Sequence, residues 1–100
     1  MVVVVFRSRI REGADFAALE EAGARMAELA RSMPGFISYK DFAAADGEYV
    51  SIVEFVDTQT LLAWRNHPEH QAVQARGRRE FMSEYRVQVC TPLRDYRFPP

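Results

Sequence analysis

The chain opens on an unbroken apolar run, Val2–Phe6, which predicts a β-strand continuing to about Arg11 because β-branched residues favour extended backbone. A strand with one solvent-facing side normally alternates apolar and polar residues, whereas a continuous run indicates that both faces are covered. In a chain of 100 residues the helices can cover only one face of a sheet. We therefore expect a second subunit on the other face.

In the segments that follow, the spacing of apolar residues predicts first a helix and then strands. Gly13–Ser32 has apolar residues at spacings of three and four, which predicts an amphipathic helix. Phe36–Ala44 and Glu48–Val56 alternate, and Asp46-Gly47 between them is a hairpin signal, so both are predicted strands. Tyr85–Thr91 is the predicted last strand.

A second helical region lies between the third and fourth strands. It is predicted to begin near Thr60, to restart at Pro68 and to run to about Ser83. Asn66 and Glu69 have the spacing of a capping box, which predicts that Asn66 is the N-cap. The resulting order, β-α-β-β-α-β, predicts an α+β, ferredoxin-like domain with a four-stranded antiparallel sheet and both helices on one face.

Composition narrows the class of protein. The chain predicts a single domain over residues 1–100, and its formal net charge of −1 argues against a nucleic-acid partner. One cysteine, Cys90, indicates no disulfide framework. The opening run is too short for a secretory signal, and no apolar run approaches a membrane span, so we expect a cytoplasmic protein without a membrane partner.

The candidate chemistry is concentrated in Trp64–Phe81, where His67 and His70 share a predicted inward face with Val73 and Gly77. A neutral histidine in the first turn of a helix can act as a base. Two histidines three apart can also share a metal ion. However, zinc needs three or four ligands and the chain has no other histidine, so we expect no metal.

Four other side chains are candidates for binding a substrate. Trp64, next to the histidines, is either a core residue or a pocket wall. Tyr39 is a strand aromatic whose phenol could reach a pocket. Glu54 is an acid among apolar residues and needs a partner such as Arg7, Arg9 or a histidine. Arg76 could reach over a pocket and attract an anion.

The segment YVSIVEFVDTQTLLAWRNHPEHQAV, with Glu54, Trp64, His67 and His70, resembles the antibiotic biosynthesis monooxygenase family, and so does PGFISY at Pro34–Tyr39. The resemblance implies a homodimer formed through the sheets and one pocket per subunit between sheet and helices. Some relatives oxidise phenolic or hydroquinone-type aromatics with O₂ and without flavin, haem or metal. By that resemblance, His67 or His70 is the general base and Trp64 lines the pocket.

Three other functions are to be weighed against this one. Relatives that degrade haem use an asparagine, a tryptophan and a histidine; Trp64 matches, but Phe6 and Gln74 stand near the other two positions, so haem breakdown is not expected. A non-catalytic dimeric ligand-binding or interaction module of the same fold is the main alternative. An RNA-recognition domain shares the element order, but its third strand should be basic, whereas GEYVSIVEF is acidic.

Overall fold

The computed structural model describes all 100 residues of the chain, Met1 to Pro100. The strands and helices, in chain order, are β1 (Val2–Ile10), α1 (Phe16–Ser32), β2 (Phe36–Ala43), β3 (Tyr49–Phe55), α2 (Thr58–Arg65), α3 (Pro68–Arg76), a π-helical turn (Gly77–Phe81) and β4 (Met82–Cys90). No helix has both the length and the apolar character that a membrane crossing requires.

The four strands form one antiparallel sheet in the order β2-β3-β1-β4. β1 is therefore central, and Val4 lies between Val53 of β3 and Val89 of β4. The helices cover the face that carries Val4. The predicted ferredoxin-like arrangement is confirmed.

The core lies between this inner face and the helices. Val53 and Phe55 of β3 are the largest fully buried side chains. They pack in one cluster with residues of β1, α1 and α2: Val2, Val4, Met26, Leu29, Ala30, Leu61 and Trp64. The valines of β1 therefore alternate between the two faces of the sheet. Val2 and Val4 are buried on the inner face, whereas Val3 and Val5 are half-buried on the outer one.

The starts of the helices differ from those predicted. α1 begins at Phe16 rather than Gly13, because Asp15 is the N-cap and its carboxylate accepts the Ala18 N–H at 3.1 Å. The predicted capping box at Asn66 is wrong. Asn66 still ends α2, and the N-cap of α3 is the next residue, His67. Pro68 occupies the first turn of α3, as expected.

The end of the second helical region is also different. The predicted helix to about Ser83 is α-helical only to Arg76; it continues as a π-helical turn, Gly77–Phe81, which leads into β4 at Met82 instead of Tyr85. The guanidinium of Arg11 lies against this junction and donates hydrogen bonds to three of its carbonyl groups, those of Arg78, Arg79 and Met82. This contact spans about two thirds of the chain, so local periodicity does not reveal it.

Candidate active site

A cavity of about 770 Å³ lies between the inner face of the sheet and the helices. Most of its lining is hydrophobic, and every strand contributes an aromatic ring: Phe6, Tyr39, Tyr49 and Tyr85. The rings of Phe6 and Tyr85 are stacked with their centroids 5.5 Å apart. A cavity of this size and character suits a planar, mainly apolar small molecule.

Three rings form a row along one wall of the cavity. Trp64 is 6% exposed, and its ring meets Tyr39 edge-on, with centroids 6.4 Å apart, and His70 edge-on at 4.5 Å. Phe55 supports the indole from the core side at 5.6 Å. Of the predicted site residues, the structure thus brings Tyr39, Trp64 and His70 together in the cavity lining.

His70 is the titratable group in this row whose protonation matters near neutral pH. Its Nδ1 is buried without a hydrogen-bond partner, which leaves Nε2 as the ring nitrogen that a ligand can reach. Burial lowers the pKa of the imidazole below its usual 6.5, and the positive charge of Arg65 lowers it further. The ring is therefore neutral at pH 7 and able to accept a proton.

The lowered pKa of His70 predicts how stability depends on pH. Because the unfolded chain binds the proton more tightly, the free energy of unfolding should fall as pH drops from 6.5 toward the pKa of the folded state. NMR titration of the ring and denaturant unfolding at several pH values test this. The His70→Gln variant should lack this component, and a folded-state pKa at or above 6.5 would contradict the expectation.

His67 has a different position. It precedes α3, and its Nδ1 accepts the Glu69 N–H at 3.1 Å, so the imidazole caps the helix. Glu69 in turn pairs with Arg25, which ties the first turn of α3 to α1. His67 does not line the cavity. The prediction that His67 and His70 lie on the same face of a helix is therefore wrong. His67 is the N-cap of α3 and lies outside the helix.

Two other predicted residues also lie outside the cavity lining. Glu54 is on the outer face of the sheet, opposite Val3, and accepts a hydrogen bond from the Ser38 hydroxyl rather than from an arginine or histidine. Arg76 pairs with Glu80 at 2.9 Å, and its guanidinium lies 4.9 Å from the ring centre of Phe81.

Tyr39 has a polar neighbourhood at its hydroxyl end. Burial raises the pKa of the phenol, and the charge of Asp41 raises it further, while the nearby Ser51 hydroxyl and the charge of Arg31 act in the opposite direction. The Ser51 hydroxyl donates its hydrogen to Asp41 at 2.5 Å. The phenol of Tyr39 is therefore protonated at neutral pH and can donate or accept a hydrogen bond.

Several lining residues were missed at the level of sequence. Phe6 and Ser8 continue the inner-face alternation of β1 after Val4, and that period-two signal could have found them. Arg31 and Arg65 line the cavity from the last turns of α1 and α2. No local pattern distinguishes these two from other surface arginines.

The side chains of the structure bear on metal binding and on haem breakdown. No group of three histidine, cysteine, aspartate or glutamate side chains is arranged to hold a metal ion. Phe6 and Gln74, near the positions where haem-degrading relatives carry asparagine and histidine, both line the cavity, but neither side chain is the required one.

Comparison with known proteins identifies the family. Residues 1–76 match the family model described as antibiotic biosynthesis monooxygenase, so the chain belongs to that family. The uncharacterised protein YqjZ of Bacillus subtilis is 33% identical over 70 residues, which are 70% of this chain and 61% of that protein. The match thus spans about three fifths of the length of YqjZ.

Solved structures share the fold. Rv0793 of Mycobacterium tuberculosis superposes with a TM-score of 0.82 at 26% identity, covering 94% of this chain and 96% of that one. The N63A mutant of SnoaB, a cofactor-independent oxygenase from Streptomyces nogalater, gives a TM-score of 0.81 at 20% identity, with 99% and 97% covered. The second likeness is one of fold alone.

Proposed function

We propose that this protein is a cofactor-independent monooxygenase that oxidises a small phenolic or hydroquinone-type aromatic with O₂. The observation that carries the proposal is the neutral, half-buried His70 beside Trp64 in an apolar, aromatic cavity. Membership of the monooxygenase family supports it. Trp64 and Tyr39 are proposed to bind the ring, and His70, rather than His67, is proposed as the base.

In the proposed reaction His70 Nε2 accepts the proton of a ring hydroxyl, and the electron-rich phenolate reduces O₂ directly. The apolar walls favour this step by excluding water from the anion and the oxygen. For a phenol with a free para position, one oxygen atom becomes the new carbonyl oxygen of a quinone. The other leaves as water with the hydroxyl hydrogen and the para ring hydrogen, so the substrate supplies all four electrons.

The proposal is tested with 1,5-dihydroxynaphthalene, which this reaction converts to 5-hydroxy-1,4-naphthoquinone. Purified protein treated with a chelator should consume one O₂ per quinone, and ¹⁸O₂ should label one quinone oxygen. Unchanged oxygen uptake on adding catalase would show that no peroxide is released. The proposal would be refuted if, over a panel of such hydroxyarenes, the protein consumed oxygen no faster than protein-free buffer does.

We also propose that the protein is a homodimer formed through the outer face of the sheet. Val3, Val5 and Ile52 are half-buried there, and Phe42 is 46% exposed. The C-terminal segment adds three apolar side chains that its own chain leaves at least 86% exposed: Leu93, Tyr96 and Phe98. A second copy would remove these surfaces from water.

The dimer predicts a charge-sensitive interface. Val5→Glu, at the centre of the outer face, should give a folded monomer because a buried carboxylate would lack a partner. Leu62→Glu, on α2 and 39% exposed, should remain a dimer as the matched control. Sedimentation velocity at micromolar concentration measures both. A wild-type protein that sediments as a monomer would rule out the interface.

The alternative is a non-catalytic dimeric module that binds a small molecule in the same cavity. The lack of a hydrogen-bond partner on His70 Nδ1 favours this interpretation, since nothing orients or strengthens the base. It predicts tight binding of hydroxyarenes with no oxygen consumption.

A further inference from the structure

Ser8 is a buried polar side chain on the sheet side of the cavity. It is 7% exposed, and its side chain lies on the inner face of β1 because it continues the alternation of Val4 and Phe6. Its hydroxyl forms no hydrogen bond within the chain. The other four serines each donate one: Ser32, Ser38, Ser51 and Ser83. The most buried serine is therefore the one whose hydroxyl lacks a partner.

The hydroxyl of Ser8 can be reached from the cavity. The polar atoms that are sealed off without a partner belong to Trp64, Glu69 and His70, and Ser8 Oγ is not one of them. Since the side chain is on the inner face, the space that Oγ meets is the cavity that Ser8 lines. A hydroxyl in an apolar lining is unfavourable unless a water molecule or a ligand bonds to it. A polar ligand atom is therefore favoured at this point of the cavity.

Two tyrosines stand on either side of Ser8. In the sheet register Ser8 lies opposite Tyr49 of β3 and Tyr85 of β4, and all three line the cavity. Directly opposite side chains on one face have Cβ atoms about 5 Å apart, so the small Ser8 leaves a gap between two larger residues. Tyr85 is held in place, because its hydroxyl accepts a hydrogen bond from Arg78 at 3.0 Å and its ring stacks on Phe6. The edge of a flat ligand that enters the gap would meet the Ser8 hydroxyl.

This gap is distant from the end of the cavity that carries His70. Tyr39, which meets Trp64 edge-on, lies level with Val4 in the sheet register. Ser8 is four residues further along β1 than Val4, which is about 13 Å at the usual rise per residue. A single benzene ring is too short for this distance. Two fused rings with an oxygen on each far edge, and a hydrogen bond at each end, have about this length.

A purely structural role for Ser8 also has to be considered. The packing of the two tyrosines requires a small side chain between them, and alanine would meet that requirement as well as serine does. Packing gives no reason for the hydroxyl, which bonds to nothing in the chain. A structural role also predicts equal affinity for ligands with and without a second oxygen.

We propose that Ser8 is a ligand-binding residue whose hydroxyl bonds to the second oxygen of a fused-ring aromatic, at the edge opposite the hydroxyl that His70 contacts. This assignment rests on the proposed aromatic site, and it narrows the ligand to those with oxygens on opposite edges. The Ser8 hydroxyl can donate to a carbonyl oxygen or accept from a hydroxyl, so both kinds of oxygen fit. Tyr49 and Tyr85 then flank the ring that carries this oxygen.

The test compares 2,6-dihydroxynaphthalene with 2-naphthol by isothermal titration calorimetry under nitrogen. Neither probe has a hydrogen para to a hydroxyl, so the proposed oxygenation does not consume them. The wild-type protein should bind the diol about five- to tenfold more tightly, because its second hydroxyl gains a hydrogen bond. In Ser8→Ala the difference should fall to about twofold or less, the statistical advantage of a ligand with two equivalent ends. The affinity for 2-naphthol should not change.

Ser83→Ala is the matched control for Ser8→Ala. Ser83 is on β4 outside the cavity lining, and its hydroxyl donates to the Arg9 carbonyl at 3.3 Å. This variant should keep the full preference for the diol. Ser8→Ala should be as stable as the wild type, since its hydroxyl has no partner to lose. Should it not fold, Ser8→Cys makes the same comparison with a weakly bonding thiol of similar size.

The inference is overturned if the wild type binds the two probes equally, if Ser8→Ala keeps the full preference, or if Ser83→Ala loses as much of it. Failure is distinct from failure of the proposed function. Oxygenation of 1,5-dihydroxynaphthalene without a preference for the diol overturns only this inference, whereas the preference without oxygen consumption overturns only the monooxygenase.

Discussion

Replacing His70 by alanine should lower kcat/KM for the oxygenation of 1,5-dihydroxynaphthalene by about 10²–10⁴-fold, the usual contribution of a positioned general base. Because Nδ1 is buried and Nε2 is the accessible nitrogen, no other group in the row is placed to take the proton. Tyr39 is protonated at neutral pH, since burial raises its pKa. If the variant still binds 1,5-dihydroxynaphthalene but consumes oxygen much more slowly, the loss lies in the chemical step.

The pH dependence of the variant separates a base from a merely structural histidine. In the wild type the rate should fall only below pH 6.5, as His70 becomes protonated. In His70→Ala the rate should recover at high pH, because the hydroxyl of the substrate then ionises in solution without help. A variant that is slow at every pH would indicate damage to the cavity instead.

His67→Asn is the matched comparison for His70→Ala. Asparagine is a favourable N-cap, so α3 should keep its start and the position of His70. The rate should then stay close to that of the wild type. A large loss in His67→Asn with little loss in His70→Ala would transfer the role of base to His67 and refute the assignment made from the cavity.

The second large effect is expected at the turn between α1 and β2. Gly35 has φ of +81°, and a Cβ there would lie 2.6 Å from the Cβ of Thr60, an atom fixed to the backbone of α2. Gly35→Ala should therefore cost about 2–5 kcal/mol of unfolding free energy, partly as backbone strain and partly as steric overlap. Denaturant unfolding measures it.

Gly13→Ala isolates the backbone component. Gly13 has φ of +78°, but no atom lies within 4 Å of the position that a Cβ would take, so only the conformational cost of about 1–2 kcal/mol is expected. Since the overlap at Gly35 is relieved by moving α2, Gly35→Ala should also displace Trp64 and weaken ligand binding. Equal losses of stability in the two variants would contradict the steric account.

The fold could be predicted because its signals are local. The alternation in β3, the helical period of α1 and the Asp46-Gly47 turn each follow from neighbouring residues. The Gly77–Phe81 turn could not be predicted, because its junction with β4 depends on Arg11, the residue that follows the first strand. A prediction from the spacing of apolar residues extends a helix as long as that spacing continues, and it does not include contacts with distant residues that change the backbone.

The candidate site was predictable only in part, for a related reason. Trp64 and His70 share a cavity because α2 packs on β3 and α3, which follows it directly, packs against α2 and α1; their nearness in sequence suggested as much. Glu54 illustrates the failure. Its face of β3 follows from period two, but the sequence does not tell which face the helices cover, and Glu54 lies on the other one.

The position of Trp64 gives the protein a built-in optical reporter. It is the only tryptophan in the chain, and its ring forms a wall of the cavity in contact with His70. Indole emission is sensitive to a neighbouring imidazole and to the displacement of water, so occupancy of the cavity and protonation of His70 should both alter the fluorescence of the unlabelled protein. Ligand discovery can therefore proceed before any turnover is known.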